Sequence, residues 1–98
     1  MDYYVYIIQS TTRCLYYKGY TSHPLLRLEE HNQGLSRYTS GKGPWQMVYL
    51  EKLMDKTSAL KREKQLKRVN VAYIKWLVAS ELNILNEFLS EQSGNHKL

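Results

Sequence analysis

The stretch YYVYIIQSTTRCLYYKGY, residues Tyr3 to Tyr20, sets the fold class. Two runs rich in tyrosine, valine and isoleucine, Tyr3 to Gln9 and Cys14 to Tyr20, flank the polar tetrapeptide Ser10-Thr11-Thr12-Arg13. β-Branched and aromatic residues suit a pleated, half-buried surface, and a short polar break between two such runs reads as a hairpin turn. Alternation gives each strand two faces: Tyr4 and Tyr6 share one face of the first, Tyr17 and Gly19 one face of the second.

Downstream, Thr21-Ser22-His23-Pro24 carries helix-start chemistry, small capping oxygens followed by a proline tolerated in a first turn. The spacing predicts a helix from Pro24 to Gln33, closed by Gly34, with Leu25 and Leu28 toward the core. Leu35 to Pro44 is polar and reads as an exposed loop, and Trp45 to Leu53 as a third strand. Asp55-Lys56-Thr57 opens a second helix to about Arg68, and Asn70 caps a third that is expected to run to Leu89. That third helix would place Ile74, Leu77, Val78, Leu85 and Phe88 on one packing stripe. The expected organisation is one α/β (α+β) domain over residues 1–89, with 90–98 a flexible tail.

Composition narrows the function classes. A chain of 98 residues with 43% hydrophobic and 12% aromatic content fills one core. The single cysteine, Cys14, excludes an internal disulfide and a thiolate-rich zinc site, which fits a reducing compartment; a cytoplasmic location is expected. No basic-then-apolar leader opens the sequence, and no run approaches the roughly 18 apolar residues of a spanning helix, so neither secretion nor a membrane partner is expected. A formal charge of +5 attracts polyanions.

Three sets of residues could carry chemistry. In the second helix Glu63 falls on the inward arc of Ala59, Leu60, Leu66 and Val69, amid Lys61, Arg62, Lys64, Lys67 and Arg68. An inward carboxylate needs a cation, which leaves open an ion pair with Arg62 or Lys67, or a metal ion. In the first helix Arg27 and His31 stand one turn apart, a guanidinium for phosphate charge and an imidazole for a proton; a solvated arginine and a helix-end histidine are the alternative. His23 and His96 have no comparable setting. Most of the nine tyrosines suit sheet packing, but Tyr6 and Tyr17 stand out, because Arg27, His31 and Lys18 are available to lower a phenol pKa.

Taken in order, these pieces resemble the GIY-YIG nuclease family. Tyr4-Val5-Tyr6 stands for the first triplet and Tyr17-Lys18-Gly19 for the second. Leu26-Arg27-Leu28-Glu29-Glu30-His31-Asn32 is similar to the family's helix arginine followed by a histidine-asparagine pair, and Ala59-Leu60-Lys61-Arg62-Glu63 to its metal-binding glutamate segment. Gly41-Lys42-Gly43-Pro44-Trp45 with Val48-Tyr49 resembles the loop and third strand of the small stand-alone bacterial branch, related to the N-terminal catalytic domain of the excinuclease. The likeness spans about residues 3 to 80, and ordered motifs are more specific than one triplet.

The resemblance implies a three-stranded antiparallel sheet flanked by helices and an endonuclease that hydrolyses phosphodiester bonds, DNA rather than RNA, in repair or processing of structured DNA. By position it makes Tyr17 the general base or its close helper, Tyr6 the residue that orients water or phosphate, and Arg27 the stabiliser of transition-state charge. His31 would assist proton transfer, and Glu63 would hold a single Mg²⁺ or Mn²⁺. The first triplet lacks the glycine and isoleucine of the pattern, and Lys18 replaces its usual central residue, facing away from Tyr17 by alternation.

A nucleic-acid surface is expected from Arg37, Tyr38, Lys42 and Trp45 in the loop, with Lys18, Lys61, Lys64 and Lys67, a basic set with interleaved aromatics. The alternatives are a weakly active or inactive nucleic-acid-binding module, and a catalytic subunit that needs a partner. The sequence does not decide between a monomer, a homodimer and a protein complex.

Overall fold

In the computed structural model, which describes residues 2–94, the hairpin is formed by β1 (Tyr3–Ser10) and β2 (Tyr16–Thr21). β3 (Trp45–Leu53) pairs with the other edge of β1, giving an antiparallel sheet of order β2-β1-β3. The central strand is therefore covered on both faces, and Val5, Tyr6, Ile7 and Ile8 are all buried. Val5 and Ile7 join Tyr49 against α2 (Lys56–Leu66) and α3 (Val71–Ala79), through Ala59, Leu66, Ile74 and Leu77. On the opposite face Tyr6, Ile8, Trp45 and Leu50 pack with Leu28 of α1 (Pro24–Asn32) and with Leu85 and Phe88 of α4 (Leu85–Gly94).

Local chemistry accounts for most boundaries. Pro24 opens α1, and Gly34, at φ 78°, closes it with Leu35 N–H donating to Glu30 O at 3.0 Å. Asp55 accepts from Ser58 N–H at 2.8 Å to cap α2, and Asn70 accepts from Tyr73 N–H at 2.9 Å to cap α3. β2 begins at Tyr16 rather than Cys14. Ser10 Oγ accepts the Thr12 and Arg13 amides at 3.2 and 3.0 Å, and this widens the turn.

Three expectations are corrected. The long third helix is two helices, and its single stripe is divided between sheet faces. Asn83 is the cause: its amide donates to Val48 O and Val78 O, both at 2.9 Å, and accepts from Leu50 N–H and Leu85 N–H at 3.2 and 3.1 Å. With Ile84 N–H donating to Leu50 O at 2.9 Å, the segment covers the outer edge of β3 as the chain crosses from one face to the other. Helix α4 continues through Gly94, so the expected tail is helical at its start; residues 95–98, His96 among them, lie outside the described residues. Finally, Leu25 is exposed, while Ser36 and Thr39 of the supposedly exposed loop are buried. No helix among the described residues is long and apolar enough to cross a membrane.

Candidate active site

Register brings the two tyrosine motifs together. Tyr6 lies opposite Gly19 and Ile8 opposite Tyr17, so Tyr6, Tyr17 and Gly19 share one sheet face. Gly19 leaves room for the Tyr6 ring: a β-carbon there would stand 2.5 Å from the phenol oxygen. The Tyr17 ring lies beside it, with centroids 6.5 Å apart, and 5.1 Å from the ring of His31.

Helix α1 lays Arg27 and His31 over this pair. His31, at 2% exposure, is held at both nitrogens: Nε2 lies 2.7 Å from the Tyr6 hydroxyl and Nδ1 2.7 Å from Thr39 Oγ1. Burial, reinforced by the Arg27 charge, pushes its pKa down to about 4, so the ring is neutral at neutral pH. Burial likewise raises the Tyr6 phenol well above its ordinary value, overriding the opposite pull of Arg27. Burial alone would lower the Arg27 pKa, but Glu30, 3.0 Å from its Nη1, and Tyr6 outweigh it, and the guanidinium is a fixed cation. Both ring nitrogens are engaged by buried groups, and His31 does not itself line the cleft that Tyr6 borders.

Helix α2 supplies the acid. Glu63 lies on the arc of Ala59 and Leu66, its side chain 14% exposed, and its ion-pair partner is Lys67 at 3.4 Å. Arg62 is committed elsewhere, to Glu51 at 3.0 Å, an oxygen that also accepts from Tyr49 at 2.7 Å. The lysine of the Glu63 pair is over half exposed, so the pair contributes at most about 1 kcal/mol and holds the carboxylate weakly. Tyr6, Tyr17, Arg27 and Glu63 line one open cleft of about 420 Å³ along the β2 edge, bordered by Gly19 and Lys56. Lys56 was not anticipated, although it precedes Glu63 by two helical turns and so shares its face.

Among the described residues no three His, Cys, Asp or Glu side chains gather as a metal cage. The donor set fits a hard ion that keeps most of its water: one carboxylate facing an open cleft, with room for phosphate oxygens to complete the shell. Softer metals that need imidazole or thiolate find neither, since His31 is sealed behind Tyr6 and Cys14 lies on the hairpin turn.

The residues expected to contact nucleic acid differ in exposure. Arg37, Tyr38, Lys42, Lys61, Lys64 and Lys67 are exposed, with Lys42 Nζ donating to Tyr38 O at 3.0 Å. Trp45 is a correction. It is buried, its Nε1 donates to Thr39 O at 3.1 Å, and Asn32 brackets its backbone at 3.0 and 2.6 Å, so no face is free to stack a base. Lys18 is half-buried on the face of β2 opposite Tyr17, where burial lowers its pKa, and it does not border the cleft.

Two phenols, a fixed guanidinium and a carboxylate surround one cleft on this sheet. The chain belongs to the GIY-YIG family, whose catalytic-domain profile matches residues 2–75. A UPF0213 protein of Natronomonas pharaonis is 36% identical over 82% of this chain and 94% of its own length. A UPF0213 protein of Oceanobacillus iheyensis is 35% identical over 69% and 79%. The solution NMR structure of a UPF0213 protein from Bacillus halodurans superposes with a TM-score of 0.52 at 29% identity, covering 84% of this chain and 87% of that one. Domains of this family act on nucleic acid and generally use a divalent metal ion.

Proposed function

We propose that this protein is an endonuclease that hydrolyses phosphodiester bonds in DNA, using the cleft between β2, α1 and α2 and one Mg²⁺ or Mn²⁺. The observation that carries the reading is the convergence of Tyr6, Tyr17, Arg27 and Glu63, from four separate elements, on one cleft. Arg27 stabilises the charge that builds on the phosphoryl oxygens, a role that its position at the mouth and its fixed charge favour. Tyr17, half-buried at the cleft, holds the attacking water and helps remove its proton. Tyr6 stays protonated at working pH, because burial holds its pKa high, and orients the groups beside it. Glu63 would hold the metal ion, which supplies Lewis-acid polarisation of the phosphate. Arg37, Tyr38, Lys42, Lys61, Lys64 and Lys67 would hold the backbone by charge, with Lys56 at the cleft border.

A cleavage assay tests this reading, on supercoiled plasmid and on branched, flapped and single-stranded DNA, with Mg²⁺, Mn²⁺ or EDTA. Metal-dependent cutting of at least one substrate is expected. Binding without cutting under every metal would replace it with a nucleic-acid-binding module.

A further inference from the structure

The buried hydroxyl of Thr39 belongs to no motif, yet it completes a continuous chain with His31 and Tyr6 behind the cleft. We infer that Thr39 is a positioning residue that fixes the His31 tautomer, and through it the direction of the Tyr6 hydroxyl, so that a phenol lone pair faces Arg27. The inference rests on the nuclease reading only for its effect on rate.

Charge sign says which order of donors the cleft needs, and Thr39 is placed to hold it. Tyr6 and Arg27 border the same cleft, and a guanidinium has donors but no acceptor, so it favours a phenol oxygen that turns a lone pair toward it. The Tyr6 proton must then point away, and the group 2.7 Å from its oxygen on that side is His31 Nε2. A nitrogen that accepts cannot carry the proton, so the neutral ring is protonated at Nδ1. Nδ1–H donates across 2.7 Å to Thr39 Oγ1, and the threonine passes its own proton toward Ser36 O at 3.4 Å. Reversing the tautomer would aim Nε2–H at the phenol oxygen and turn the Tyr6 hydroxyl proton toward the cationic guanidinium, displacing it.

The fold holds Thr39 firmly enough for this task. Its carbonyl accepts from the Trp45 indole at 3.1 Å, and Asn32 clamps the Trp45 backbone from the end of the helix that carries His31. Loop, helix and third strand are therefore locked around the one hydroxyl. The tautomer of a histidine is set by the hydrogen bond its other nitrogen makes, and outer-shell partners that orient metal-ligating groups contribute about 10–100-fold to activity, the scale taken for the effect expected here.

The test compares wild type, Thr39→Val, which keeps the shape and removes the hydroxyl, and Thr39→Ser, which keeps the hydroxyl. Imidazole ¹⁵N shifts, assigned with His31→Gln, report the tautomer, and contacts between the Arg27 side chain and the Tyr6 ring report the positioning. We expect the Nδ1–H form in wild type and Thr39→Ser. In Thr39→Val we expect loss of that form, weakened Arg27–Tyr6 contacts and about 10–100-fold slower cutting. An Nε2–H tautomer in wild type, or an unchanged tautomer and unchanged contacts in Thr39→Val, overturns the inference. Because both spectroscopic readouts need no turnover, an absence of cutting in wild type counts against the nuclease reading alone.

Discussion

The Tyr6 hydroxyl oxygen lies 2.5 Å from where a β-carbon on Gly19 would stand, so the smallest side chain on β2 is what admits the most buried phenol of the site. Gly19 needs no special backbone angle; what it supplies is space. The two tyrosine motifs are thereby coupled through the bare α-carbon that one strand presents to the other.

Gly19→Ala should displace the Tyr6 ring and with it His31 and Arg27. We expect cutting to fall by at least about tenfold while the domain remains folded, with overpacking costing about 1–3 kcal/mol. Parallel rate measurements and urea melts check this; a folded variant with wild-type rate would show that Tyr6 placement is irrelevant.

Stability should carry the signature of a buried neutral histidine. The folded pKa of His31, about 4, lies below the ordinary 6.5, so the unfolded chain takes up the proton first as pH falls. The stabilisation is complete above pH 6.5 and is lost as pH drops toward 4. Between pH 7 and 4.5 wild type should lose roughly 2 kcal/mol more than His31→Gln, read by denaturant melts at the two pH values. Equal losses would place His31 in water.

Trp45 at the start of β3 and Tyr38 in the loop before it should behave oppositely. Trp45→Ala empties a core position and is expected to cost about 3–5 kcal/mol of stability. Tyr38 is 70% exposed, and Tyr38→Ala should leave stability within about 0.5 kcal/mol while weakening affinity for single-stranded DNA. A Tyr38→Ala protein with wild-type affinity would remove this loop face from the nucleic-acid surface.

Much of this was legible in the sequence because it rests on local rules. Alternation put Tyr17 and Gly19 on one face of the second strand, leaving the register to bring Tyr6 onto that same sheet face, and Asp55 and Asn70 announced their helices with short polar side chains. The 3.6-residue period turned Glu63 inward. What stayed hidden depends on long-range contact. Trp45 reads like an exposed loop aromatic until Asn32, 13 residues earlier, is found clamping its backbone. Thr39 sits among serines and glycines that signal a solvated loop, and only the fold buries it against His31. The crossing at Asn83 is equally silent, since Ile74 through Phe88 keep a helical spacing although the chain leaves one sheet face for the other.

The most direct measurement of the central claim is the Mg²⁺ dependence of plasmid nicking by wild type, Glu63→Gln and Arg27→Ala. Removing the carboxylate deletes only a weak ion pair whose lysine is over half exposed, so Glu63→Gln should fold normally, and about 10²–10³-fold slower cutting is expected for each variant, the former with a lost response to metal. Wild-type rates and an unchanged metal response in both variants would contradict the account, because neither side chain would then belong to the reacting centre.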